Sequence, residues 1–409
     1  MNKFSNLKLF SFFLLAFPVS TLAASVAEDT QNIDYLSLAQ GSIPIKIDGP
    51  VKAMKIGMDS ALMAIDGDKG IFSLALKPGT EDTKISFVFW LPALTTFSQF
   101  AIPNILETPS PSQTFIKAVE IAGSDQGPDG PFHILAKVNL KTHSDKNQLT
   151  TFSPSVEIPV RWVRVTLGGG IDVQREKTFF EFSEIIGHGH QEPVPLLNDF
   201  TGKWKGRGVL LELKQENARV SGCYDRTGDL IGTVDGNILR ATGKTRTGDI
   251  SSTFLLTVND SDEIIGVRST NGAPFRLYTG KNTPSLVTEC SEVVVPMLGC
   301  GSIINGLHFG FDSANILQES NELLEDLFTG LKTTSSSITV IGHTSNEGSV
   351  AYNENLSQRR AEAVVNALIT RGIDTSRISA QGFGEKQPIA DNTTGAGRSL
   401  NRRVEIACQ

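Results

Sequence analysis

Helical periodicity enters this 409-residue chain only near its C-terminus, and that late switch sets what the chain can fold into. Before it, β-branched and aromatic runs such as 84–91 and 156–167 are separated by clusters of Gly, Pro, Ser and Asp, the pattern of all-β structure. From about Ser320, apolar residues recur at helical spacing: Leu323, Leu324, Leu327, Phe328 and Leu331, then Leu356, Val364, Val365, Leu368 and Ile369. Gly372 stands where the second of these helices should end. Between and around them, 307–311, 338–341, 378–381 and 404–407 read as strands, giving a mixed sheet with two helices on one face. At about 100–200 residues per domain, the length allows two to four domains.

The first 23 residues have the form of an export signal. Lys3 and Lys8 supply positive charge, 9–17 is a short apolar run, and Thr21-Leu22-Ala23 offers a small-x-Ala cleavage site. That run is far short of the roughly 20 residues that span a bilayer. No cysteine lies near the cleavage site, so no lipid anchor is expected there, and no later segment has 18 uninterrupted apolar residues. The expectation is a soluble periplasmic or extracellular protein. A net charge of −7 and the lack of a basic run disfavour a nucleic-acid partner.

Four cysteines, Cys223, Cys290, Cys300 and Cys408, allow three pairings. Cys300 precedes the first strand of the C-terminal region and Cys408 follows its last, which favours Cys300–Cys408 and leaves Cys223–Cys290. Buried free thiols are the alternative. A zinc site lacks the paired C-x-x-C spacing.

The C-terminal region carries an ordered series of motifs: G-H-T-S-N-E-G at 342–348, Y-N-E-N-L-S-Q-R-R-A-E-A-V at 352–364, R-G-I at 371–373, G-F-G-E-K-Q-P at 382–388 and G-R-S-L-N-R-R-V-E-I at 397–406. This series resembles the OmpA-like C-terminal domain, by which Gram-negative envelope proteins hold peptidoglycan. The resemblance implies an α+β module over 304–409 in the order β-α-β-α-β-β. It also implies a zwitterionic ligand, the diaminopimelate-type side chain of the stem peptide. Arg360 falls on the family's carboxylate-gripping arginine, where a guanidinium can act bidentately. Thr344, Asn353, Phe311 and Asp312 fall on flanking positions of the same pocket, and Arg402 and Arg403 also match. Ser345 stands where the family has Asp. Losing one charge-assisted hydrogen bond, about 1.5–3 kcal/mol, weakens binding roughly 10- to 150-fold. Asp312 and Glu347 are the carboxylates in sequence reach to compensate.

Two weaker resemblances organise the rest. The string P-V-R-W-V-R-V-T-L-G-G-G at 159–170 resembles a central strand of discoidin-like (F5/8 type C) β-sandwiches, implying a sandwich over 34–198. G-K-W-K-G at 202–206, L-L-E-L-K-Q at 210–215 and V-S-G-C-Y at 220–224 resemble small lipocalin-like barrels of secreted bacterial proteins, implying a barrel over 199–283. Asp235-Gly236 and Asn271-Gly272 are hairpin dipeptides within it. Residues 284–303 form a linker carrying Cys290 and Cys300. For the N-terminal region the rival is an outer-membrane barrel, which needs aromatic girdles, and Tyr and Trp, 4 and 3 in the whole chain, are too scarce for them.

Other candidates carry less. His188-Gly-His190 has strand-alternate spacing but no third ligand. Gly168-Gly-Gly170 is not followed by a helix pattern and reads as a turn rather than a phosphate cradle. Trp90 and Phe87 have the side chains of a sugar site, although strand aromatics more often form core. No nucleophile signature, metal set or cofactor motif stands out, so no enzyme, metal or cofactor is expected. The sequence therefore points to a non-catalytic envelope protein that anchors to peptidoglycan and presents β domains to another envelope component. The alternative is a structural subunit of a trans-envelope assembly, such as a secretion system, with the last module kept for docking.

Overall fold

The computed structural model describes residues 33–409 apart from 55, 69–71, 77–82, 105–115, 141–147, 173–176, 195, 197–199, 207, 291–292 and 311–312. The expected export signal therefore lies outside the described residues, as do Phe311 and Asp312.

The N-terminal part is built from β1 (Ile43–Asp48), β2 (Phe72–Leu76), β3 (Lys84–Pro103), β4 (Ala118–Ser124), β5 (His133–Asn139), β6 (Leu149–Phe152), β7 (Val160–Gly168), β8 (Gly170–Asp172), β9 (Lys177–Phe182) and β10 (Ile186–Gln191). Seven strands make one antiparallel sheet, with β1-β3-β7-β4-β5 as its spine and β6 and β10 also on β3. The remaining three, β2-β9-β8, form a second sheet. Strand alternation sets which side chains turn inward. Phe87 lies opposite Val165 and Phe89 opposite Val163, and all four are buried in a core shared with Ile121 and Phe182. Two short helices, α1 (Val51–Met54) and α2 (Met58–Leu62), interrupt the strands, and Ala61 and Leu62 of α2 enter the same core. Phe87 and Trp90 are 0% and 3% exposed, so neither lines an open sugar site. His188 and His190 lie on β10, but a register shift between His188 and Gly189 breaks their alternation, and no metal-holding cluster occurs among the described residues.

Eight antiparallel strands then close into a barrel: β11 (Gly202–Gly206), β12 (Val209–Glu216), β13 (Arg219–Tyr224), β14 (Gly228–Asp235), β15 (Ile238–Thr245), β16 (Ser251–Val258), β17 (Glu263–Thr270) and β18 (Arg276–Asn282). β11 closes the ring on β18 through Trp204↔Asn282 and Lys205↔Lys281. Eight strands enclose a space that side chains can fill. Here Trp204, Leu211, Tyr224, Phe254, Leu256, Tyr278 and their neighbours fill it. Asn271 and Gly272 both take positive φ, 51° and 72°, as the hairpin dipeptide required. At the other dipeptide the loop is displaced by one residue: Asp235 still pairs with Ile238, and Gly236 turns at φ 57°.

The C-terminal module contains β19 (Ile303–Ile304), α3 (Asn321–Leu331), β20 (Ile338–His343), α4 (Val350–Arg371), β21 (Ile378–Gly384), α5 (Gly395–Asn401) and β22 (Val404–Cys408). The sheet order is β19-β22-β20-β21, with β20 and β21 parallel and the other pairs antiparallel. Leu323, Leu324, Leu327, Leu331, Leu356, Val364, Val365 and Leu368 are buried, and Gly372 caps α4 in the left-handed conformation. Two expectations need correction. The edge strand is Ile303–Ile304, not 307–311, where Phe309 makes only an isolated bridge to Ile316. A third helix, α5, stands between the last two strands, so the order is β-α-β-α-β-α-β.

The three parts share their interiors. Ile238, Leu255 and Val267 on the outside of the barrel and Ala396 of α5 belong to the N-terminal core. Ala218 of the barrel belongs to the C-terminal one. Cys223–Cys290 ties the linker to the barrel, with Cα atoms 5.7 Å apart. Cys300–Cys408 joins the two ends of the last module at 5.4 Å, and there is no free cysteine.

Candidate functional site

Thr344, Ser345 and Asn353 of the C-terminal module lie where β20 hands the chain to α4. Gly342 permits this approach, because a Cβ there would stand 2.3 Å from the Ser357 carbonyl oxygen of α4. The loop leaving β20 is fastened by backbone bonds, His343 N to Arg403 O and Thr344 N to Gly384 O, both 3.0 Å. Ser349 then caps α4, its Oγ accepting from Tyr352 N at 3.3 Å.

Arg360 lies two to three turns along α4. Its Nε donates to the Ser313 carbonyl at 3.1 Å, and its guanidinium carbon sits 4.9 Å from the centre of the Phe309 ring. The cation is thus held in place by backbone and an aromatic face. Asn353 is 1% exposed and donates through Nδ2 to Glu385. Thr344 and Ser345 are likewise buried, and Thr344 Oγ1 has no hydrogen-bond partner among the described atoms.

Ser345 does not leave its position empty of negative charge. Its Oγ donates to Glu347 Oε2 at 3.0 Å, and Arg402 Nη1 donates to the same oxygen at 3.2 Å. Arg398 Nε lies 3.5 Å from the other oxygen, Oε1. A carboxylate two residues beyond Ser345 is therefore drawn back to it. Arg402 in turn lies within the electrostatic reach of Glu347, Arg240, Arg398 and Arg360, so four arginines and one glutamate share this end of the module.

Beneath the loop, His343 is 3% exposed and stacks on Phe383 at 5.8 Å with an interplanar angle of 11°. Burial, followed by the Arg403 charge, holds its imidazole down at about 4. It is neutral at physiological pH. Arg403 is buried too, paired with Glu405 at 2.6 Å.

Of the six expected pocket residues, Thr344, Ser345 and Asn353 lie at the loop and the start of α4, Arg360 lies further along α4 on Ser313 and Phe309, and Phe311 and Asp312 lie outside the described residues. The module thus holds an immobilised guanidinium, a carboxylate and neutral donors and acceptors, the groups a zwitterion requires.

Residues 308–402 match the sequence profile of the OmpA family. They form an OmpA-family domain. Outer membrane porin F of Pseudomonas aeruginosa is 38% identical over 28% of this chain and 35% of its own length. The probable lipoprotein YiaD of Escherichia coli is 52% identical over 17% of this chain and 32% of its own. The chain thus spans about a third of the length of these curated relatives. Among solved structures, the cell wall anchor of the T6SS from Pseudomonas aeruginosa is 34% identical, covering 25% of this chain and 76% of that one, with a TM-score of 0.24. CBM32-3 from a family 31 glycoside hydrolase of Clostridium perfringens covers 37% of this chain and 93% of its own at 13% identity and a TM-score of 0.27.

Arg398 and α5 were missed at the sequence level. The G-R-S-L-N segment is rich in residues with poor helix propensity, and its helix is held by capping and tertiary contacts rather than by an apolar stripe. The available signal was Thr394, whose side chain accepts from Gly397 N as an N-cap.

Proposed function

We propose that this protein is a non-catalytic component of the cell envelope that anchors to peptidoglycan through its OmpA-family domain and presents its β domains to another envelope component. The observation that supports the reading is the Arg360 guanidinium fixed by the Ser313 carbonyl and the Phe309 ring in a domain of this family. Arg360 takes the ligand's carboxylate, and Thr344 and Asn353 supply neutral contacts. The curated relatives named above are outer-membrane proteins or lipoproteins, which accords with an envelope location.

Replacement of the family's Asp by Ser345 favours a second reading, in which the domain is a docking module of a larger trans-envelope assembly. Sedimentation with purified peptidoglycan separates the two. Anchoring predicts that the wild-type protein sediments with the wall. It also predicts that Arg360→Ala weakens binding roughly 10- to 150-fold, the cost of one charge-assisted hydrogen bond. Absence of the wild-type protein from the pellet would leave the docking reading.

A further inference from the structure

Arg398 connects the loop of the candidate site to a different part of the molecule. Its Nη2 donates to the Gly67 carbonyl at 2.8 Å, across 331 residues of sequence. Its Nη1 is spent on the Asn392 and Thr393 carbonyls of its own module, at 3.1 and 2.9 Å. Its Nε faces Glu347 Oε1. The guanidinium is a rigid fork, so fixing two of its edges fixes the third.

The N-terminal side of this contact is equally constrained. Gly67 N donates to Glu184 Oε1 at 2.8 Å, and Gly395 N at the start of α5 donates to the Asp66 carbonyl. Gly67 has φ +80°, and a Cβ there would stand 2.7 Å from both Arg398 Nη2 and Gly395 N. No side chain fits without moving the Arg398 fork or parting the two modules.

Glu347 itself remains 63% exposed on its side chain. A carboxylate has about four lone-pair sites. Ser345 and Arg402 engage Oε2 and Arg398 approaches Oε1, so the group is held by three neighbours yet still opens to solvent. A long side chain held this way loses less rotamer freedom when a ligand arrives.

We infer that Glu347 is the acceptor for the ammonium of the wall ligand, that Arg398 is the residue that positions it, and that the N-terminal module sets that position through the Gly67 carbonyl. The inference rests on the wall-anchoring reading. It makes the β domains part of the binding geometry rather than passive cargo.

The test uses the full chain and two preparations of peptidoglycan, one native and one with its free stem-peptide amines N-acetylated. Glu347→Gln should bind the native wall about tenfold or more weakly than wild type, the loss of one charge-assisted bond, and bind the acetylated wall as wild type does. Gly67→Ala and Arg398→Gln should each reduce the preference for the native wall. Neither should add to the loss when combined with Glu347→Gln. Arg398→Gln serves where Gly67→Ala fails to fold. A purely structural role would lower binding to both walls alike, and that result overturns the inference. So does a Glu347→Gln variant indistinguishable from wild type on the native wall, which leaves anchoring through Arg360 intact. Failure of the wild-type protein to bind either wall removes both readings.

Discussion

The Arg240 guanidinium of the barrel donates through Nε to Ser399 Oγ of the C-terminal module at 2.8 Å. The same side chain donates through Nη2 to the Ala39 carbonyl of the N-terminal part at 3.1 Å, and its Nη1 lies 3.5 Å from Asp235. A single buried cation thus reaches all three parts of the fold. Asp235 is shared with His308 at 2.6 Å, and His308 and Arg240 together keep its carboxyl below the usual range against the opposing effect of burial.

Removing Arg240 should therefore cost far more than a surface charge. Breaking a buried ion pair by deleting one partner costs about 3–5 kcal/mol, and the retained His308 contact puts Arg240→Met near the lower end. The expected outcome is a lowered denaturant midpoint, with hydrogen exchange of the 344–349 loop rising together with that of the 38–41 segment. A midpoint unchanged from wild type would refute the hub role.

The covalent closure of the last module makes a second prediction. Cys300–Cys408 spans 108 residues of sequence, and a loop of about 100 residues corresponds to roughly 4.7 kcal/mol in the chain-entropy model. Cys300→Ser combined with Cys408→Ser should lower stability by about 2–5 kcal/mol. Denaturant unfolding under non-reducing conditions checks the value.

A third concerns pH. Asp34, Asp66 and Glu184 are desolvated where the N-terminal part meets α5; Asp34 and Asp66 are raised to about 7 and Glu184 well above its ordinary value. Arg398 faces Asp66 and Glu184, Asp68 faces Asp66, and backbone N–H groups of Leu36, Ser37 and Gly187 face Asp34. Raised carboxyls hold protons in the folded state, so their contribution is complete below about 4 and is lost as pH climbs through about 7. Glu184→Gln removes one such group. Its melting temperature should exceed that of wild type by a wider margin at pH 8 than at pH 5. Equal margins would show that Glu184 is ionised throughout.

His343 has the opposite sign. An imidazole held at about 4 must stay neutral in the folded domain, so stability is lost as pH falls from about 6.5 toward 4. Its ring protons, followed by NMR, should show no titration between pH 8 and pH 5.

Much of the OmpA-family domain was legible because its helices announce themselves locally. The stripe Leu323–Leu324–Leu327–Leu331 and the left-handed Gly372 need only nearest neighbours in sequence to be read. The true edge strand was not, since Ile303–Ile304 is a strand only by virtue of pairing with Val404 and Glu405 a hundred residues away. The 20-residue strand β3 was legible only at its start, since beyond the register shift between Trp90 and Thr95 its continuation depends on pairing with the distant strands β10 and β6. At the site, Arg360 and Ser345 were visible from motif spacing. The grip of Arg398 on Glu347 and Gly67 was not, because no local pattern records a contact between residues 67 and 398.

The two disulfides lie in tandem, one closing 223–290 and the other 300–408. A protease that nicks the backbone once inside either ring therefore releases nothing. The pieces stay covalently joined, and a non-reducing gel would show a single species of undiminished mass. Between the rings, only a cut within the nine residues 291–299 breaks the covalent link, after which the OmpA-family domain is held to the rest by noncovalent contacts alone.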